Sequence, residues 1–364
     1  MRLKRLGAWF SSVAALCWLA SLLAGPAAMR ALAADDGDPL AMEFVAPAWF
    51  PAADAASGRW AIYLDGRIDS AAGERFTEEV ARRDIASADV YVNSRGGALV
   101  AAMELGRAIH RLGFATYVGR DPEGGPAPRP GDCFSACVFV LIGGHYRFAV
   151  PQSRIGVHRF SSTASADADP DRVQMVSATI INYIKVMGID VALFDRMSRA
   201  GKDEILFLAQ NDLAQLRVIN NGRLPPEWEI EPSTGGVYVK ATQQTRWGSG
   251  RIMLSCRGGQ IVFQPFYEAG DNAAEIADAA VGHLLRTGSG LDALGEPLNR
   301  SLRAEGRYVT GEFVLTPDQA RALQDAKSIG YAVQLRGSIS QAGFWVDAAG
   351  GASQKIRGLL ANCG

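Results

Sequence analysis

A serine between small residues, a double-glycine turn before it and a histidine after it are the residues best placed for chemistry. Ser135 lies in a Cys-Phe-Ser-Ala-Cys segment, residues 133–137, and opens an apolar run. Gly96 and Gly97 lie upstream, and His158 lies downstream at the end of a predicted strand. A serine nucleophile needs a base that takes its proton, N–H donors that hold the oxyanion, and a group that orients the base. The sequence supplies candidates for the first two requirements in chain order.

The composition is that of an ordinary globular protein and gives no hint of a nucleic-acid partner. The chain has 364 residues, of which 48% are hydrophobic and 21% are charged, with a formal net charge of −1. This length suffices for two domains that each bury a core. A near-zero net charge argues against nucleic-acid binding, which is typical of strongly basic surfaces. Function therefore has to be inferred from local patterns.

The N-terminal residues 1–34 have the pattern of a secretory signal peptide. A basic start precedes the largely apolar segment 6–25, and a small-x-small pattern at residues 31–33 follows it. We expect cleavage near Ala33 or Ala34 and a periplasmic or secreted protein. The alternative is an uncleaved inner-membrane anchor formed by residues 6–25, because this stretch nearly reaches spanning length.

Beyond the signal peptide, the chain divides into a linker and two domains. Residues 35–54 are assigned to a linker. Residues 55–224 alternate strand and helix patterns, which predicts an α/β domain with a mainly parallel sheet. An Asn-Asn-Gly sequence and two prolines interrupt the pattern at residues 220–226. Residues 235–364 follow as a smaller α+β domain, to which no motif assigns a role.

Four cysteines remain once the signal peptide is removed, and an even number in an oxidising compartment favours disulfides. Four cysteines permit three pairings. We favour Cys133 with Cys137 and Cys256 with Cys363, because each bond then stays within one domain. Zinc is the weaker alternative, since no histidine lies at ligand spacing from either group. We therefore expect no metal site.

Several segments together resemble the Clp-type serine peptidases of the Clp/crotonase superfamily. They are residues 62–66, residues 90–97, Ser135 and residues 151–158, and they occur in the family's order over roughly the middle half of the chain. The resemblance implies a β/β/α spiral with a Ser-His-Asp triad, and often self-assembly. The chain looks closer to secreted, periplasmic Clp-like proteins than to the cytosolic proteolytic subunit.

The resemblance assigns a role to each matching position. Ser135 corresponds to the nucleophile, and His158 corresponds to the general base that later acts as general acid. The backbone N–H groups of Gly96 and Ala136 correspond to the oxyanion donors. A glycine suits such a turn because its backbone has to approach the substrate closely.

The orienting carboxylate is the least defined member of the triad. The resemblance points to Asp203, although alignment on Phe207 places the family's aspartate nearer Ile205. Glu204 and Asp195 remain alternatives.

These observations predict a serine peptidase that hydrolyses peptide bonds through an acyl-enzyme, with no cofactor. Its expected substrates are peptides or loosely folded chains, because the periplasm offers no ATP for a partner unfoldase. A homo-oligomer is also expected from the resemblance. The main alternative is a catalytically weak or inactive Clp-fold protein with a binding or scaffolding role. Crotonase-like acyl chemistry on a coenzyme A thioester is disfavoured, because a secreted protein meets little coenzyme A.

Overall fold

The structure, a computed structural model, describes residues 29–30, 39–47, 58–125, 127–160, 170–201, 203–288, 290–337 and 341–363. The predicted signal peptide lies outside the described residues, apart from Met29 and Arg30. The apolar segment 6–25 lies outside them as well. None of the described helices is both long enough and apolar enough to cross a membrane.

Strands and helices alternate up to residue 215. In order, they are β1 (Met29–Arg30), β2 (Ala41–Val45), β3 (Trp60–Asp65), α1 (Ala72–Arg82), β4 (Ala88–Asn93), α2 (Leu99–Arg111), β5 (Ala115–Val118), β6 (Asp132–Phe134), α3 (Cys137–Leu141), β7 (Arg147–Ala149), β8 (Arg154–Val157), α4 (Pro170–Val186), α5 (Ala192–Arg199), β9 (Glu204–Phe207) and α6 (Gln210–Gln215). The order is the strand–helix alternation expected of an α/β domain.

The larger sheet of this part has the strand order β2-β3-β4-β5-β7. Strands β3, β4, β5 and β7 pair in parallel, as the sequence predicts, and β2 pairs antiparallel with β3 at the edge. Strand β2 falls within the stretch assigned to a linker. Its five residues are too few to show a clear alternation of polar and apolar side chains. Hydrogen bonding to β3 is what makes this segment a strand.

A smaller sheet carries the candidate catalytic residues and has the order β1-β9-β8-β6. Strands β6 and β8 are parallel, with Cys133 opposite Ile155 and Phe134 opposite Gly156. Strand β9 runs antiparallel to β8. This sheet meets the larger one through a bridge between Ser94, just after β4, and Cys133.

The larger sheet has one aromatic face, on which four rings stack across neighbouring strands. Ring centroids are 4.9 Å apart between Tyr63 and Tyr91, 4.8 Å between Tyr91 and Tyr117, and 4.5 Å between Tyr117 and Phe148. Cross-strand aromatic pairs of this kind stabilise a sheet and hold its register. The indole of Trp247 meets Phe148 edge-on, so a residue from the C-terminal part of the chain covers one end of this row.

The C-terminal part is built mainly from antiparallel strands. Its elements are β10 (Glu227–Ser233), β11 (Gly236–Thr245), β12 (Gly248–Arg257), β13 (Gln260–Glu268), α7 (Ala273–Ala279), β14 (Ala280–Thr287), β15 (Gly290–Ala293), β16 (Arg303–Glu305), β17 (Tyr308–Thr310), β18 (Phe313–Val314), α8 (Pro317–Ala322), β19 (Ser328–Leu335), β20 (Gln341–Asp347) and α9 (Ala352–Ala361). Helix α8 begins with a helix-start signal that is visible in the sequence, since Thr316 and Gln319 form a reciprocal capping box and Pro317 occupies the first turn.

Buried apolar residues form two clusters. One contains residues from Leu40 to Ile219, and the other contains residues from Trp228 to Leu359.

The N-terminal and C-terminal parts contact each other through Asp89, whose carboxylate accepts hydrogen bonds from Arg246 Nη1 at 2.7 Å and Nη2 at 2.5 Å. Both side chains are nearly buried, which makes this bidentate pair a specific link between the two parts.

Candidate active site

Ser135 occupies a sharp turn between β6 and α3. Its φ angle is +57°, which is a left-handed backbone conformation that residues other than glycine adopt only at a cost in free energy. The Ser135 N–H donates to the Gly156 carbonyl at 3.0 Å, and its own carbonyl accepts from the Val138 N–H at 3.1 Å. A serine on a strained strand-to-helix turn is the arrangement that exposes the nucleophile in α/β-hydrolases.

The Ser135 hydroxyl and the His158 imidazole are in direct contact. His158 immediately follows β8, and the parallel pairing of β8 with β6 places it beside the turn after β6. Ser135 Oγ lies 2.6 Å from His158 Nε2. When Nε2 carries no proton it accepts the hydroxyl proton, which is the geometry that a general base requires. The structure therefore brings together the two residues that the sequence singled out.

The double-glycine turn packs directly against this serine. A Cβ placed on Gly96 would lie 2.9 Å from Ser135 Cβ, 3.1 Å from the Phe134 carbonyl oxygen and 3.2 Å from the Ala136 nitrogen. The φ angle of Gly96 is +113°. Both observations explain why this position holds a glycine. Gly96 thus lies directly against Ser135.

The backbone N–H groups of Gly96 and Ala136, which the resemblance assigns to the oxyanion hole, differ in their hydrogen bonding. The Gly96 N–H donates to Ser94 Oγ at 3.1 Å, and that hydroxyl lies 3.2 Å from the Gly96 carbonyl oxygen. Ala136 precedes the first residue of α3, and in the described part of the chain its N–H has no acceptor. The sequence analysis did not identify Ser94, although a serine two residues before a glycine turn is a known turn-stabilising signal.

The three candidate carboxylates lie in different settings. Asp203 is exposed in the turn before β9, and Glu204 is the exposed first residue of β9. Asp195 forms an exposed ion pair with Arg199 at 2.6 Å on α5. Asp195 is therefore already engaged in an ion pair on its own helix. Asp203 and Glu204 lie at the start of β9, the strand that pairs with β8, and His158 follows β8 directly.

Both disulfides join the pairs favoured from the sequence. Cys133 bonds Cys137 across the turn that holds Ser135, with Cα atoms 5.2 Å apart. Cys256 bonds Cys363 and links β12 to the end of the described chain, with Cα atoms 5.4 Å apart. Among the described residues, no group of three or more His, Cys, Asp or Glu side chains is arranged to hold a metal ion.

A small aromatic and charged surface lies next to Ser135 and His158. Phe134 and Phe207 meet edge-to-face over Gly156, with centroids 5.4 Å apart. The Arg154 guanidinium lies over both rings and makes a bidentate pair with Asp132 at 2.8 and 2.6 Å. Hydrogen bonding to Asp132 raises the pKa of Arg154. The pairing of β6 with β8 brings these side chains together, and so local sequence patterns did not reveal them.

Comparisons with known proteins give structural similarities only. No profile of a known protein family matches the sequence, and no curated protein matches it. A mutant of the membrane-bound stomatin-specific protease 1510-N shares 20% identity and a TM-score of 0.32, over 44% of this chain and 76% of that one. ClpP1 from Listeria monocytogenes shares 14% identity and a TM-score of 0.35, over 44% of this chain and 88% of that one. A point mutant of that ClpP1 shares 15% identity over the same fractions, with the same TM-score. TM-scores this low carry no argument about activity. Evidence on function therefore has to come from the geometry around Ser135 and His158.

Proposed function

We propose that the protein is a Clp-like serine hydrolase that cleaves peptide bonds through an acyl-enzyme. The observation that carries the proposal is the 2.6 Å contact between Ser135 Oγ and His158 Nε2 on a left-handed strand-to-helix turn. A serine and a histidine that merely pack in a core need neither a strained backbone nor a glycine turn against the serine. Nucleophilic catalysis uses all three features.

In the proposed reaction, Ser135 Oγ attacks the carbonyl carbon of the scissile peptide while His158 Nε2 takes the hydroxyl proton. The resulting oxyanion collapses, the C–N bond breaks, and the imidazolium gives its proton to the leaving amine. Water, deprotonated by His158, then attacks the acyl ester. Collapse of the second tetrahedral intermediate returns the proton to Ser135 and releases the acid product.

We assign the oxyanion hole to the N–H groups of Gly96 and Ala136. The Ala136 N–H has no acceptor in the described residues and adjoins the nucleophile. The Gly96 N–H has to exchange the Ser94 hydroxyl for the substrate oxygen. This exchange replaces a neutral acceptor by an anionic one, and charge-assisted hydrogen bonds are roughly twice as strong as neutral ones.

Asp203 remains our proposed orienting residue. Strand β9 pairs with β8 so that Gly156 faces Phe207 and Val157 faces Leu206, and continuing this register places His158 opposite Ile205. Side chains alternate between the two faces of a strand. Glu204, the first residue of β9, therefore lies on the face opposite to Ile205 and His158. Asp203 lies in the turn just before β9, and alternation continued by one residue would put it on the face of Ile205, which supports Asp203 over Glu204.

The proposed setting is an oxidising compartment, with peptides or loosely folded chains as substrates. Two disulfides favour such a compartment, and the N-terminal pattern predicts export. The proposal includes no cofactor and no ATP-driven partner. Self-assembly also remains part of the proposal, on the basis of the family resemblance alone.

A fluorophosphonate probe, which reacts with activated serines, tests the proposal. We expect the wild-type protein and Ser198→Ala to label, and Ser135→Ala to give no signal. Ser198 is a suitable control because it lies on α5 and its hydroxyl donates to the Phe194 carbonyl. Incubation of wild type with a peptide mixture should give fragments that Ser135→Ala does not produce. A wild-type protein that neither labels nor cleaves would favour the binding or scaffolding alternative.

A further inference from the structure

The Cys133–Cys137 disulfide closes a short ring around the reactive turn. Its two cysteines are four residues apart, and the ring contains both Ser135 and Ala136. The proposed nucleophile and one proposed oxyanion donor therefore lie within a single covalent loop. The other disulfide joins residues 107 positions apart and encloses no candidate catalytic group.

The backbone inside this ring holds a conformation that its sequence disfavours. Ser135 has φ of +57°, and an L side chain at this angle approaches the following carbonyl. Left-handed residues other than glycine persist only where the surroundings dictate their conformation. The backbone bond from the Ser135 N–H to Gly156 is one such constraint, and the disulfide is a second.

The bond also joins two elements that position different groups. Cys133 lies in β6, where it faces Ile155 and forms a bridge with Ser94 of the glycine turn. Cys137 is the first residue of α3. Both cysteines are completely buried. The disulfide thus fixes the start of α3 relative to the strand beside the glycine turn, at a place where Gly96 leaves no spare room.

We propose that this disulfide is a positioning element for catalysis, which holds Ser135 in its left-handed conformation and keeps the Ala136 N–H aimed at the oxyanion. The inference rests on the proposed function, because it concerns the reactivity of the same serine. Without the bond, the turn relaxes toward ordinary backbone angles in a fraction of molecules. Ser135 Oγ then leaves its contact with His158 although the surrounding core stays folded.

The test compares two variants, each of which lacks one of the two disulfides, in fluorophosphonate labelling kinetics and thermal unfolding. In Cys133→Ala/Cys137→Ala, we expect the maximal labelling rate to fall roughly 5- to 150-fold, because this is the rate change that corresponds to the strain of one left-handed residue. The matched control is Cys256→Ala/Cys363→Ala, which should label at the wild-type rate. The control should lose more thermal stability, because its bond closes a much longer loop.

A second measurement covers the case in which the first variant does not fold. Excess dithiothreitol reduces each wild-type disulfide to two thiols and is itself oxidised to its cyclic disulfide. Alkylation and mass spectrometry then identify which pair has opened, and circular dichroism reports whether the protein is still folded. Folded protein with the Cys133–Cys137 pair open should label as slowly as the variant.

The outcomes separate this inference from the proposed function. Labelling of Cys133→Ala/Cys137→Ala at the wild-type rate would refute the positioning role and leave the hydrolase proposal intact. Equal slowing in both variants would show a general effect of lost stability and would also refute it. A wild-type protein that does not label at all would refute the proposed function itself.

Discussion

The substitution Gly96→Ala perturbs the candidate active site at its tightest contact. The added Cβ would lie 2.9 Å from Ser135 Cβ and 3.2 Å from the Ala136 nitrogen. Both neighbours belong to the reactive turn, so relief of the contact has to move the nucleophile, an oxyanion donor or Gly96 itself. The φ angle of +113° adds strain for any residue with a Cβ.

The expected magnitudes follow from these two effects. Backbone strain of this kind lowers the free energy of unfolding by about 1–3 kcal/mol. Displacement of one oxyanion donor lowers turnover by about 10²–10³-fold. We therefore expect Gly96→Ala to remain folded at moderate temperature and to lose most of its reactivity toward the fluorophosphonate probe and toward peptides.

Gly113→Ala is the matched control for this experiment. Gly113 follows helix α2 with φ of +67°, and a Cβ there would meet no atom within 4 Å. This variant should lose about 1–2 kcal/mol of stability from backbone strain alone and should label normally. Denaturant unfolding and labelling kinetics on both variants check the comparison. If Gly96→Ala labels as fast as Gly113→Ala, the placement of the glycine turn in the reactive site is wrong.

Two further predictions concern the stability of the fold. Asp89→Ala removes the carboxylate that accepts from both Arg59 and Arg246, and should cost about 3 kcal/mol in denaturant unfolding, as breaking a buried pair does. Asp325→Ala, in an exposed pair with Arg357, should cost about 1 kcal/mol or less, and equal losses would contradict the buried link. Burial lowers the pKa of His283, whose Nδ1 lies 2.9 Å from the Tyr331 hydroxyl. The unfolded chain therefore binds the proton more readily, and the unfolding free energy should fall as pH drops below about 6.5. His283→Gln should reduce that slope, and an unchanged slope would contradict the assignment to His283.

The sequence was most informative where short segments carry their own signals. The apolar residues of segment 98–112 recur with helical spacing, and the structure has helix α2 at Leu99–Arg111. Helix α8 starts with Thr316 as its N-cap and with Pro317 in its first turn, which are start signals that residue types alone carry. Ser135 and His158, which the ordered motifs single out, lie in contact. These three features depend on the helical spacing of apolar residues, on a pair of capping residues and on an ordered set of motifs. All of these signals are visible without knowledge of long-range packing.

Features that depend on packing between distant segments escaped prediction. Arg246 and Asp89 are 157 residues apart in the chain, and no local pattern relates them. The left-handed conformation of Ser135 and the bond from Gly96 to Ser94 are details of backbone geometry that residue types alone do not specify. Helix α7, at Ala273–Ala279, was also missed, although its run of alanine, glutamate and isoleucine is a helix-forming signal.

Peptide mapping of the fluorophosphonate adduct by mass spectrometry tests the central claim most directly. We predict one modified site in the wild-type protein, on the hydroxyl of Ser135, and a strongly reduced yield in His158→Ala. An adduct on a different serine, no adduct, or a yield that does not change when the imidazole is removed would contradict the proposed role of Ser135 and His158.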